Sequence, residues 1–388
     1  MSATSVQSKL QNQALYRKQI KVLYVVPPSD SFAGIERVTD DLASSLNDYK
    51  NGIFNASVLY FSNYEETKGA KYNIIQKFGK RVRDIPSVVE EVTRNNKFDI
   101  VVIPQFEVAF LCLLWNKIKF NKTKIILHLH GNPSIEKRSS LRANFLFKFF
   151  KISAPSFAGI IAVSPGLSRR AMDMIDGNSF VEPLPNPVRQ LGEKVKADEK
   201  ALNSKNFITV GRLAYQKGHD IAIRAFRKVV DIHPDATLTI VGEGGERKKI
   251  SDLIEKLSLG ENVILKGLVP DPSTELAQAR AFVSGSRWEG SPVAIVEALS
   301  VGLPVLSARC DFGPEDLITS PEFGSLSDVE DPYSLAEIIL NNLNSAQCLA
   351  EADLRRLYAA TFARDVVVER HAQYLERIAR DIESDRIG

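Results

Sequence analysis

Short, continuous β-branched runs alternate with helical patterns along most of the chain, and this alternation limits the fold more than any other feature. Lys21–Val26 (KVLYVV) leads into a turn-rich loop, PPSDSFAG, and then a helical pattern from Ile35 to Leu46. Strand-like runs recur at Ile53–Phe61, Phe98–Ile103, Lys124–Leu129 and Ala158–Val163. Apolar runs without polar alternation, separated by helices, predict a parallel sheet covered on both faces. EPLPNPVR (Glu182–Arg189) holds three prolines and marks the end of this first alternation. The polar stretch after it, GEKVKADEKALNSK, reads as a linker or peripheral loop.

A second alternation follows. Strands are expected at Phe207–Val210, Thr237–Val241, Val263–Leu265, Ala281–Ser284 and Pro304–Ser307. Helices are expected at Asp220–Asp231, through Leu257, from Pro292 to Val301, and through a tail from Pro332 onward. A length of 388 residues suits two domains, each with its own core. The expected fold class is α/β, two doubly wound domains in tandem, with ligands beyond the carboxyl ends of the strands and near helix N-termini.

Composition narrows the class. Cys112, Cys310 and Cys348 are scattered, which fits a reducing compartment better than a disulfide framework or a metal site. The first twenty residues are polar and lack the apolar core of a signal peptide. The longest apolar run, Val108–Trp115, is eight residues, far short of a membrane span. Residues 1–190 carry 26 Lys+Arg against 16 Asp+Glu, net +10, whereas the remainder carries 24 against 31, net −7. A basic first half hints at an anionic partner there, although solvated surface accounts for it equally well. No recognition motif points to nucleic acid.

Five stretches can carry chemistry. SFAGIER (Ser31–Arg37) puts Gly34 at a strand-to-helix turn, where backbone N–H groups can approach an anion. In ILHLHGN, His128 and His130 point to one side if the strand continues. His130 lies at the strand–loop border, His128 reads as packed, and no third or fourth zinc ligand is suggested nearby. VGRLAYQKGH places Arg212 and Lys217 in one loop between a strand and a helix, an arrangement that suits a diphosphate, without the pattern of a P-loop. VGEGGE puts Gly242 and Gly244 near a nucleotide, but Arg247 stands where a dinucleotide fingerprint needs its third glycine.

The fifth stretch, SRWEGSPVAIVEALSVGLPV, holds Glu289 and Glu297 with seven residues between them. Spacing alone allows an acid/base pair, a metal site, a hydroxyl clamp or two solvated ends of a helix. Pro292 fits a helix start, so Glu289 falls in the loop and Glu297 inside the helix. A carboxylate flanked by Val296 and Ala298 needs a partner, and vicinal ribose hydroxyls would serve. The N–H groups of Ser291, Val293 and Ala294 would face an incoming phosphate.

Taken in order, SFAGIER, LHLHG, LPNPV, VGRLAYQKG, VGEG and EGSPVAIVEALSVGLPV resemble the retaining glycosyltransferases of family 4, most specifically over Phe207–Glu315. The resemblance implies a GT-B fold, two Rossmann-like domains facing across a cleft. It implies an acceptor domain at 1–190, a nucleotide-sugar domain at 191–361, and a C-terminal helix at 362–388 returning toward the first domain. Arg212 and Lys217 would neutralise the donor diphosphate, with Gly34, Ser291 and Val293 beside it. Glu297 would bind ribose, Glu289 would sit at the sugar ring, and His130 would contact the donor sugar or the attacking hydroxyl. Two departures stand out: Ala33-Gly34 replaces paired glycines, and Gly290-Ser291-Pro292 replaces Gly-Phe-Gly at residues that line the sugar pocket.

The chain contains no Asp-x-Asp, which favours a site without metal, and no cofactor is expected. The expected donor is a nucleotide sugar, with a uridine diphosphate sugar preferred. SSLRANFLFKFFKIS (Ser139–Ser153) interleaves aromatic and basic residues, and Lys117, Lys119, Lys122 and Lys124 precede it. This pattern suits an anionic membrane surface. It predicts a cytoplasmic enzyme, peripheral on the inner face of the cell membrane, acting on a lipid-linked or glycan acceptor. A nucleotide-sugar 2-epimerase and a non-catalytic partner subunit are the competing readings. The aromatic-basic stretch speaks against the first, and the joint presence of Arg212, Lys217, Glu289 and Glu297 speaks against the second.

Overall fold

The structure is a computed structural model that describes residues 19–29, 34–67, 69–78, 81–119, 123–131, 152–175 and 180–387. The described residues form two compact units. One draws on Met1–Ala162, Ala171–Pro187 and Val368–Gly388, the other on Val163–Arg170 and Val188–Val367.

The first unit holds seven parallel strands: β1 (Ile20–Val26), β2 (Phe54–Tyr60), β3 (Asn73–Gln76), β4 (Ile100–Ile103), β5 (Lys124–Leu129), β6 (Gly159–Ala162) and β7 (Val181–Pro183), in the order β3-β2-β1-β4-β5-β6-β7. Helices α1 (Gly34–Asp48), α2 (Ile85–Asn96) and α3 (Phe106–Lys119) lie between strands in sequence. β1 and β4 are the central strands, and Val22–Val26 and Ile100–Ile103 are buried without interruption, as strands covered on both faces require.

α4 (Pro165–Met174) and α13 (Arg364–Ile387) each cross from one unit's residues into the other's. The first-unit part of α13 packs Val368, Ala372, Tyr374, Leu375 and Ile378 into that unit's core. Close approach there requires Gly159, since a Cβ at this position would lie 2.0 Å from the Tyr374 hydroxyl.

The second unit includes α5 (Glu199–Leu202) and holds six parallel strands: β8 (Asn206–Val210), β9 (Thr237–Val241), β10 (Val263–Gly267), β11 (Ala281–Ser284), β12 (Val305–Ala308) and β13 (Gly324–Ser327), ordered β10-β9-β8-β11-β12-β13. The order reverses between β8 and β11, which makes their carboxyl ends the natural ligand position. Helices α6 (His219–Ile232), α7 (Arg247–Lys256), α8 (Ser273–Ala277), α9 (Val293–Val301), α10 (Pro314–Leu317), α11 (Pro332–Leu343) and α12 (Leu349–Ala360) connect or follow these strands.

α9 is apolar almost all round, and every residue from Ile295 to Val301 is buried. It stops at Gly302, whose φ of 104° lets the Leu303 N–H reach back to the Ala298 carbonyl at 3.1 Å.

Three strands escaped the sequence reading. Asn73–Gln76 (NIIQ) and Gly324–Ser327 (GSLS) are four residues long with only two and one apolar residues, and Val181–Pro183 ends in proline. All three are at or beside sheet edges, where apolar patterning is weakest. The stretch GEKVKADEKALNSK is not a free linker. Ala197 and Leu202 are buried with Ile295 and Leu299, and the Ala197 N–H bonds the Val301 carbonyl. Its charges face outward while its few apolar residues anchor it.

Arg355 on α12 is the largest fully buried side chain among the described residues. It donates to the carbonyls of Glu322 and Gly302 and to Gln347 and Glu351. Removing it leaves buried acceptors unpaired. Arg355→Ala is expected to cost about 3 kcal/mol, read as a lower midpoint for the second unit in denaturant-induced unfolding.

Candidate functional site

Two loops at the β8/β11 switch carry the charged residues. After β8 the chain passes Gly211–Ala214, makes a single turn at Tyr215–Lys217, and enters α6 through Gly218. Gly218 has φ 57°, and a Cβ there would lie 1.8 Å from the Gly285 carbonyl. Only glycine lets the two loops approach this closely. After β11 the second loop runs through Ser286 and Glu289 to Pro292, the N-cap of α9.

Glu289 is buried, and its carboxylate receives Lys217 Nζ at 2.7 and 3.0 Å and the Ser286 hydroxyl at 2.7 Å. Ser284 Oγ lies 3.2 Å from Ser286 Oγ and continues this chain inward. Lys217 and Glu289 therefore share one ion pair at the mouth of the sheet, and Lys217 is an ammonium on a flexible stem with a partner it can exchange. Arg212 is exposed, and among the described residues its guanidinium has no ion pair. Val293 and Ala294 occupy the first turn of α9, where helical N–H groups lack intrahelical acceptors. The recess between these loops is lined by Thr209, Lys217, His219, Ser286, Glu289 and Ile295, among others.

Glu297 projects from α9 on another side and is also buried. Its expected need for a partner is met within the protein: Arg189 places Nε at 3.1 Å and Nη2 at 2.8 Å from Oε1. The two glutamates are thus separate carboxylates with separate cations, not one acid/base pair. Sequence reasoning missed Arg189, because it lies in the proline-rich EPLPNPVR, read only as a boundary. Gly242 and Gly244 follow β9, and their left-hand φ values of 147° and 159° bring that turn against the carbonyls of Gly211 and Leu213. Cys310 is buried, and burial, with Glu289 adding to it, pushes its thiol up to about 12.

The first unit supplies a different cluster. β5 ends at Leu129, so His130 begins the loop. The rings of His128 and His130 lie 4.1 Å apart between centroids, and His128 and His371 of α13 lie 5.8 Å apart. His371 Nε2 is 3.2 Å from the Pro185 carbonyl, whereas His128 Nε2 is buried with no hydrogen-bond partner among the described residues. Burial, then His371, pushes His130 down to about 3, and burial pushes His371 down to about 4. Burial also holds His128 well below the ordinary range. All three rings are neutral at physiological pH. Gly34 starts α1, and the residues before it from 30 to 33 lie outside the described residues, as do residues 132–151 with most of the aromatic-basic stretch.

Residues 192–356 match the family model described as glycosyl transferases group 1. An uncharacterized glycosyltransferase of Methanocaldococcus jannaschii is 28% identical over an alignment of 342 positions that covers 79% of this chain and 80% of the relative. The UDP-N-acetylglucosamine–peptide N-acetylglucosaminyltransferase GtfA subunit of Streptococcus agalactiae is 24% identical over 67% of this chain, which spans only 53% of that protein. Among solved structures, Anabaena HepE in complex with UDP-glucose superposes with a TM-score of 0.76 at 18% identity, covering 92% of this chain and 99% of that one. The fold is GT-B, and the chain is an enzyme of the glycosyltransferase class. The assignment to family 4 in particular is finer than these matches reach.

The histidine cluster makes first-unit stability pH-dependent. An unfolded histidine titrates near 6.5. Here the folded values lie below that, so the unfolded chain binds more protons as pH falls from about 6.5 toward the folded values. Stability is full above about 6.5 and is lost below it, by at most about 1.4 kcal/mol per pH unit for each ring. In a Trp288→Phe background, which leaves Trp115 as the sole tryptophan, unfolding followed by fluorescence should show a midpoint that falls between pH 7 and pH 5, with a shallower fall when His371→Gln is added.

Proposed function

We propose that the chain transfers a sugar from a UDP-sugar to a hydroxyl of a lipid-linked or glycan acceptor, with retention of configuration and without metal. The observation that carries this reading is the Lys217–Glu289 pair at the β8/β11 switch, beside the N-terminus of α9. It supports a donor diphosphate whose charge is met by Lys217 and Arg212 and by the backbone of Ser291 and Val293. On donor binding Lys217 exchanges carboxylate for phosphate, and Glu289 is left beside the sugar ring.

Glu297, oriented by Arg189, accepts from ribose hydroxyls, and the turn with Gly242 and Gly244 lies near the nucleotide. In the transfer step the bond from the anomeric carbon to the β-phosphate oxygen breaks, and the acceptor oxygen bonds to that carbon from the same face. The acceptor proton goes to the departing phosphate. His130, being neutral, can hydrogen-bond the sugar or the attacking hydroxyl, and Gly34 belongs to the loop assigned to the diphosphate. The UDP preference is supported by the uridine ligands of the relative and the solved structure named above. The absence of Asp-x-Asp supports independence from metal.

On this reading 1–190 binds the acceptor, 191–361 binds the donor, and 362–388 belongs with the acceptor domain. A peripheral site at an anionic inner leaflet is supported by the +10 half and by α3, which exposes Leu114, Trp115 and Ile118 together near its end. Among the described residues no helix is long and apolar enough to cross a membrane.

A donor-hydrolysis screen over nucleotide sugars should select a UDP-sugar. Turnover should survive EDTA, and Lys217→Ala should lower kcat/KM by about 100-fold or more. Unchanged turnover in that variant would remove the diphosphate role, and an epimer formed without acceptor would identify a 2-epimerase instead. In liposome flotation at low salt, the protein should rise with anionic vesicles and not with neutral ones. Failure to rise with either would refute the membrane contact.

A further inference from the structure

Lys217 and Glu289 sit on different loops, and their ion pair cannot hold those loops in register if Lys217 must leave for a phosphate. The Tyr215–Lys217 turn has no apolar anchor either: none of its three residues is buried, and Tyr215 is 57% exposed. Polar contacts must fix it, and they converge on Arg287.

The Arg287 side chain is only 10% exposed. Its Nη1 and Nη2 grip both oxygens of Asp220, in the first turn of α6, at 2.9 and 2.8 Å. Its Nε reaches Glu330, ahead of α11, at 2.7 Å. Nη1 also donates to the Tyr215 carbonyl at 2.7 Å, and the guanidinium lies 3.8 Å over the Tyr215 ring. Two further bonds join the same loops: the Arg287 backbone N–H to the Gln216 carbonyl at 2.8 Å, and the Gln216 side-chain Nε2 to the Trp288 carbonyl at 3.0 Å. Glu330 holds its place from a left-handed backbone, φ 59°, uncommon for a residue with a side chain.

One planar fork therefore ties together the turn that ends in Lys217, the helix after it, and the loop that leads to Glu289. A lone surface ion pair would add little, but here one buried guanidinium holds a carboxylate through both its oxygens, a second carboxylate and a backbone carbonyl at once. Lysine cannot replace it, because an ammonium lacks the fork and the stacking face.

We propose that Arg287 is a positioning residue for the donor: by clamping the Tyr215–Lys217 turn to its own loop, it sets the Lys217 ammonium where a diphosphate is bound. It touches no substrate. The proposal rests on the diphosphate role given to Lys217, and the test separates the two.

UDP and uridine binding are measured by calorimetry and ligand-observed NMR on the full chain, or GDP and guanosine if the donor screen selects guanosine. Wild type is compared with K217A, R287A, R287K and the double variant K217A/R287A. The expected result is a loss of UDP affinity of about tenfold or more in R287A, little recovery in R287K, unchanged uridine affinity, and less than a twofold further loss when R287A is added to K217A. If K217A binds UDP like wild type, the diphosphate reading itself fails, whatever Arg287 does. If K217A loses UDP but R287A does not, the clamp is overturned. It is also overturned if R287A weakens uridine as much as UDP, or if its loss adds in full to that of K217A. Should R287A not fold, Asp220→Asn opens the same clamp and is held to the same outcomes.

Discussion

A carboxylate removed from water must find a cation or hydrogen-bond donors, and the second unit is arranged around two such carboxylates. Glu289 and Glu297 are both buried, eight positions apart in sequence, on either side of the start of α9. Each recruits a cation from a distant part of the chain, Lys217 to one and Arg189 to the other. These pairings pull the loop after β8 onto the loop that leads into α9, and the segment after β7 onto α9 itself. A largely apolar α9 makes this arrangement rigid, since Ile295, Val296 and Leu299 leave the helix no freedom to rotate away from its core. The site's charge pattern is therefore fixed by packing that has nothing to do with charge.

The two cations are not equivalent, and the difference has chemical content. Arg189 presents two nitrogens to a single oxygen of Glu297, a geometry that orients a carboxylate without consuming it. Lys217 presents one point charge to both oxygens of Glu289. A lysine can trade one anion for another with little rearrangement, whereas a forked arginine contact is made to stay. Buried ion pairs contribute little net stability because desolvation offsets their attraction. A contact of that kind is well suited to be exchanged for a ligand's phosphate, provided something else maintains the loop, and the Arg287 network supplies that support.

The alternation of strands and helices was legible because continuous apolar runs have one physical meaning in a parallel sheet, and β1, β4, β5, β9 and β11 lie within two residues of where their composition puts them. Edge and near-edge strands such as Asn73–Gln76 and Gly324–Ser327 were not, since a strand with one neighbour can be polar. The positions of Glu289 in a loop and Glu297 in a helix could be read from Pro292 alone. Their partners could not: Arg189 is 108 residues from Glu297 and Lys217 is 72 from Glu289, and no local pattern encodes a pairing over such distances. Arg287 was hidden for the opposite reason. It stands two positions before Glu289, in a stretch where the glutamates and glycines drew the chemical argument.

The first unit answers the same burial problem with neutral groups. Where the second unit buries charge and compensates it, β5 and α13 bury His128 and His371, with half-buried His130 beside them, and keep all three rings uncharged. In the role proposed for His130, a neutral ring can donate or accept a hydrogen bond without bringing charge of its own. A protonated one would offer a rival anion site and would also oppose positive charge developing at the anomeric carbon. Burial is the main cause that lowers His130, and His371, more than two hundred positions later on the C-terminal helix, adds to it. The second unit thus compensates its buried carboxylates with cations, whereas the first keeps its packed imidazoles uncharged by desolvation.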